Sequence, residues 1–128
     1  MVTCHYCNQP AELVTGKEIY PHLPNLHNSK FWRCQPCGAY VGCHRANKGY
    51  GDGTVPLGIL ANAYLRRAKI DVHNLLDPMW KSGAMKRMEA YAWLAKEMNI
   101  SLKECHIGMF SLAQCQQAIQ LLRKSAEE

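Results

Sequence analysis

Cys4, Cys7, Cys34 and Cys37 form two C-x2-C pairs separated by 26 residues. Two intervening residues let a tight turn aim both sulfurs at one ion, and two such turns complete a tetrahedron with sulfur about 2.3 Å from the metal. Thiolates are soft ligands, so zinc is the expected ion, one per chain, with iron in the same four-sulfur site as the minor alternative. Four sulfurs leave no open coordination position, which predicts a structural rather than a catalytic metal. The seven cysteines are odd in number, and "MVTCHYC" lacks the basic patch and apolar core of a signal peptide. A reducing, cytoplasmic setting in a bacterial cell or infected host is therefore expected, where paired C-x2-C units are metal ligands rather than disulfides.

Several ionisable residues stand outside that set. Cys43 and His44 follow the second pair directly, and His5 lies within the first. A buried small apolar side chain is the plainer account of Cys43. His44 has three accounts: a partner to a thiolate, a ligand contact, or a solvated ring. Cys105, His106 and Cys115 could form a second metal site only by distant pairing, and buried thiols are the simpler expectation. His73 and Asp77 are four apart, so on a helix the carboxylate can orient the imidazole. No nucleophile and no open metal site accompany them. The expected class is accordingly a non-enzymatic binding protein, with a small metal-dependent hydrolase or nuclease the least favoured reading.

The formal charge is +5, and four thiolates with one zinc ion would lower it to +3, too little to establish a nucleic-acid partner by itself. Its distribution says more. Asn62, Arg66, Lys69 and His73 recur at helical steps and form a polar stripe, which Arg33, Arg45 and Lys48 could extend. The alternative is an ordinary solvated helix face. Trp93 has Lys86, Glu89, Lys96 and Glu97 as helical neighbours, which places it towards a polar side. There it could stack on a base, anchor a protein partner, or pack within the chain. Tyr50 is a further stacking candidate. Nucleic acid is the leading partner, a host protein bound by the same surface is the alternative, and no membrane role is expected.

These residues need elements to hold them. Strand-forming runs are "AELV", "KEIY", "KFWRC" and "AYVGC", with Thr15-Gly16 as a hairpin turn and "PHLPNLHNSK" as a surface loop. The glycine-rich "RANKGYGDGTV", residues 45–55, reads as a linker and lacks phosphate-loop spacing. From Pro56 the apolar period becomes helical: Leu57, Leu60, Ala61, Tyr64, Leu65, Ala68, Val72, Leu75 and Leu76 share a face. Pro56 suits a first turn, and Asp77-Pro78 should stop the helix. A second helix is expected after Ser82 with Met85, Met88, Ala92 and Ala95 inward, ended by Asn99 in the left-handed conformation. "SLKE" has capping-box spacing, and Ser111 should cap a last helix carrying Leu112, Cys115, Ile119 and Leu122 inward. The expected architecture is α+β: a zinc ribbon of short antiparallel strands over 1–44, a linker over 45–55, and three to four helices over 56–128, packed with the ribbon as one unit. No run of about 20 apolar residues, the length of a membrane span, is present.

The stretches "CHYC", "FWRCQPCGAYVGCH", "PLGILANAYLRRAKIDVHNLLDPMW", "YAWLAKEMNI" and "HIGMF", in that order, resemble a family of small zinc-finger-containing proteins found mainly in phages and prophages. The resemblance covers nearly the whole chain. It implies a zinc ribbon joined to a helical region and a phage or mobile-element setting, and it implies no substrate. The chain departs from the family chiefly in the glycine-rich stretch 45–55.

Overall fold

Aromatic and branched side chains make "KFWRC" a strand, and it becomes the centre of a three-stranded antiparallel sheet. The computed structural model describes residues 2–49 and 51–127; Tyr50 lies outside them. Strand β1 (Glu12–Thr15) pairs with β2 (Lys30–Cys34), and β2 pairs with β3 (Ala39–Gly42). The chain divides into two compact units, Met1–Ala63 and Tyr64–Glu128. The sheet lies in the first and three long helices in the second, so the class is α+β, as expected.

Three of the four expected strands form. The run "KEIY" does not; Gly16–Ile19 makes a four-residue helical turn, α1. Thr15-Gly16 is therefore no hairpin turn. The Gly16 amide instead donates to the Ser29 carbonyl at 2.7 Å, and a Cβ on Gly16 would sit 1.7 Å from the Leu26 carbonyl oxygen. The 16–29 segment thus folds back on the chain. Its Tyr20 meets Phe31 and Tyr40 edge-to-face at 5.9 and 5.7 Å, an arrangement aromatic quadrupoles favour.

Residues 45–55, expected to be a linker, lie inside the first unit. The His44 amide donates to Val55 at 2.8 Å, Leu57 to Gly42 at 2.9 Å, and Tyr40 and Ala61 exchange bonds at 3.1 and 3.0 Å. The segment after the loop thus returns along the free edge of β3. Leu57, Leu60 and Ala61 mimic a helical period, but the backbones of Leu57 and Ala61 bond to β3, so Pro56 opens no helix. Leu60 is buried there beside Cys4, Ala11, Cys34 and Ala39.

In the second unit, α2 (Ala63–Lys81) buries Leu65, Ala68, Val72 and Leu76, while Tyr64, expected inward, is 79% exposed. The helix runs through Pro78 rather than stopping before it. Only one amide is lost at Pro78. Ser82 and Gly83 then bond back to Pro78 and Trp80, with Gly83 left-handed at φ 85°. Helix α3 (Arg87–Met98) buries Ala90, Leu94, Ala95 and Met98; of the expected inward set only Ala95 is buried, and Met88 is 69% exposed. Asn99 ends the helix in the left-handed conformation, as expected. The capping boxes at Ser101/Glu104 and Ser111/Gln114 both form, but the first serves a single turn. Helix α4 (Leu112–Glu127) packs on α3 and buries Cys115, Ala118 and Leu122, with Leu112 exposed. Among the described residues no helix is long and apolar enough to cross a membrane.

Candidate metal centre

Both C-x2-C pairs occupy hairpin turns. In the first, Thr3 bridges Pro10, the Cys4 amide donates to Gln9 at 2.9 Å, and Asn8 follows Cys7 at φ 62°. In the second, Cys34 and Ala39 are the last register pair of β2 and β3, and Gly38 follows Cys37 at φ 63°. The left-handed residue after each pair turns the chain back on itself, a conformation that Gly adopts freely and Asn tolerates.

The two turns converge. All four sulfurs lie within 4.8 Å of one another, and the Cys7 and Cys34 sulfurs are 3.6 Å apart. A tetrahedron with sulfur about 2.3 Å from zinc has edges of about 3.8 Å, so the cluster fits one ion. Cys4 and Cys34 are 0% and 4% exposed, while Cys7 and Cys37 are half-buried. Among the described residues this is the one group of three or more candidate metal ligands. His5 instead meets Tyr6 edge-to-face, with ring centres 4.1 Å apart.

Crowded thiols cannot all ionise without a cation between them. The Gln9 backbone amide holds the Cys7 thiol below its ordinary range. Cys37 is pushed up to about 12, first by its bond with the Cys7 sulfur and then by burial. At Cys34 the Cys37 amide favours the thiolate, but burial and the neighbouring sulfurs outweigh it and the pKa rises. A divalent ion removes that conflict, and the residues present supply all four bonds of a structural zinc site.

Cys43 is not part of the cluster. It follows β3 with His44, and its thiol is pushed up by burial, with Lys30 only partly opposing. Cys43→Ser is therefore expected to leave the zinc content at one per chain, measured by elemental analysis against protein concentration; loss of the metal would reassign the fourth ligand. Cys105 and Cys115 are buried and shifted upward by that burial, as buried thiols should be.

The expected partner-binding residues divide by what they touch. Arg33 is engaged by Glu12 at 2.6 Å and Glu18 at 3.4 Å. Lys69 donates to the Gly108 carbonyl at 2.7 Å, and burial lowers its pKa. His73 stands 3.4 Å from Asp77, confirming their helical adjacency. Asn62 precedes α2, where its amide donates to the Tyr6 hydroxyl at 3.2 Å, while Arg66 is half-buried on the helix. Trp93 is half-buried, lining a hollow of about 170 Å3 with Leu121 and Lys124. Arg45 and Lys48 are exposed on the 45–55 loop. Lys30 and Asp52, overlooked in the sequence, join Cys43, His44 and Arg45 around one cleft. Only the register reveals it: with Cys34 paired to Ala39, each step back along β2 is a step forward along β3, so Lys30 falls opposite Cys43.

A family model described as a zinc-finger-containing domain matches residues 1–125. No curated protein and no solved structure matches the chain.

Proposed function

Because the chain belongs to the family of zinc-finger-containing domains, we propose that it is a zinc-stabilised module that binds nucleic acid through phosphate contacts, in a phage-related cytoplasmic setting. The observation that carries this reading is a pair of exposed cations, Arg45 and Lys48, on a loop the fold holds in place. The Asn47 amide bonds to Gly51 at 3.0 Å, the Gly49 amide to the Asn47 side chain at 2.8 Å, and the Trp32 indole to the Thr54 carbonyl at 2.7 Å. Among the described residues neither cation is paired with a carboxylate, in contrast to Arg33 with two. Cations on a loop braced by such bonds lose less entropy on meeting a phosphate chain than cations on an unbraced one.

The metal centre supports binding rather than turnover, since four sulfurs leave no position for substrate or water. Protein recognition has less support, because Trp93, its aromatic anchor, is half-buried beside residues of α4 rather than fully presented.

Titration with single- and double-stranded oligonucleotides at several salt concentrations tests the reading. With about three or four phosphates neutralised, log affinity should fall against log salt with a slope near −3. Arg45→Ala with Lys48→Ala, both exposed, should reduce that slope by about 2 and weaken binding to many sequences alike, because phosphate contacts position without specifying. Binding that is absent, or indifferent to salt, would sink the proposal.

A further inference from the structure

The open end of the β2–β3 hairpin holds a cleft of about 460 Å3, within the roughly 300–1,000 Å3 of small-molecule sites. Three separate segments wall it: Asn28 to Lys30 before and at the start of β2, Cys43 to Ala46 after β3, and Asp52-Gly53 from the returning loop. We propose that this cleft binds a phosphate monoester, with Lys30 and Arg45 as its cationic clamp.

The walls are fixed before any ligand arrives. The Cys43 amide donates to the Lys30 carbonyl at 3.2 Å, which holds the β2 and β3 sides together. Gly53, at φ 92°, passes close to Ala46: a Cβ there would meet the Ala46 Cβ and amide nitrogen at 3.6 Å. The Asp52 carboxylate accepts from the Thr54 amide at 3.1 Å and hydroxyl at 2.6 Å, and these bonds hold its pKa down. It therefore contributes one negative charge, against the two basic side chains of Lys30 and Arg45. Cys43 adds none, since burial keeps its thiol protonated at neutral pH.

The surplus is positive, and the donors suit a terminal phosphate. A monoester carries about −1.5 to −2 charges and three strong acceptor oxygens. Arginine offers two parallel bonds to such a group and lysine a point charge, while Asn28, Ser29 and His44 supply further polar lining. A cleft walled by three segments fits a chain end or a single nucleotide better than a strand passing through. The source of the phosphate is therefore a free nucleotide or the 5′ end of a strand; only the second rests on the nucleic-acid reading.

The test uses the full zinc-loaded chain, titrated with AMP and with one oligonucleotide carrying either a 5′ phosphate or a 5′ hydroxyl. The phosphorylated strand should bind at least about tenfold tighter, the scale of one charge-assisted hydrogen bond. Lys30→Ala and Arg45→Ala, both at exposed positions, should each abolish that preference, with zinc still at one per chain. Lys17→Ala removes the same charge elsewhere on the same unit and should leave it intact. AMP binding lost in the two cleft variants, without a strand preference, assigns the site to free nucleotides and supports it. AMP binding with no oligonucleotide binding at all also supports the cleft while overturning the nucleic-acid reading. Equal affinity for both strands together with no AMP binding overturns the cleft, even where strands bind; so does an equal loss in Lys17→Ala.

Discussion

Removing zinc should dismantle the first unit. Among the described residues its buried cluster is Cys4, Ala11, Cys34, Ala39 and Leu60, two of them metal ligands, and Val14 and Ala61 are the other buried hydrophobics of the unit. The remaining side chains are too few and too small to replace the ion, since domains of about 60 residues are marginal even with ordinary cores. Structural zinc in small peptides binds with roughly 10–16 kcal/mol of apparent free energy at neutral pH, comparable to the whole stability of a typical domain. A strong chelator, or Cys34→Ser, is thus expected to abolish the sheet, read as loss of dispersed amide signals for residues 12–15, 30–34 and 39–42. Acid should act in the same direction. The native site binds thiolates and the unfolded chain carries thiols, so the unfolded state takes up more protons and stability falls as the pH falls. A sheet that survives complete removal of the metal, or protein purified with disulfides between these cysteines, would refute the structural role.

The parts of this fold legible in the sequence are those with strong local chemistry. The two C-x2-C turns, β2 and β3, the Ser111 cap and the left-handed Asn99 each depend on residues within a few positions, and each forms. The parts that were not legible depend on distant partners. "KEIY" has strand-like alternation, yet the Gly16 amide and the Leu26 backbone draw its start into a turn. Leu57, Leu60 and Ala61 carry a helical period, yet β3 had an unpaired edge for them to satisfy. In α3 the small Ala92 and flexible Met88 gave a plausible inward face, but Leu94 and Met98 set the buried one. The metal site was readable because its spacing is its mechanism. The cleft beside Cys43 needed strand register and a returning loop, and neither belongs to a local motif.

Phe110→Ala should be the most damaging single truncation in the second unit. Phe110 is 1% exposed and is the largest fully buried side chain among the described residues. It follows the 3-10 turn Ile107–Met109 and directly precedes Ser111, the cap of α4. Truncation therefore opens a cavity at the point where the chain enters its last helix. Phenylalanine-to-alanine changes in cores cost about 3–5 kcal/mol, the sum of lost transfer free energy and the cavity left behind. For a domain of 60–100 residues each kcal/mol moves the melting temperature by about 4–8 °C, so a drop of at least about 12 °C is expected. The denaturant midpoint should fall with little change in slope, because the surface exposed on unfolding is nearly the same. Zinc content should stay at one per chain, since all four ligands belong to the other unit. Phe110→Leu keeps most of the volume and should recover much of the loss. A shift of only a degree or two in Phe110→Ala would mean that the site collapses around the smaller side chain, and that Leu76, Leu94 and Ile107 hold the helices together without it.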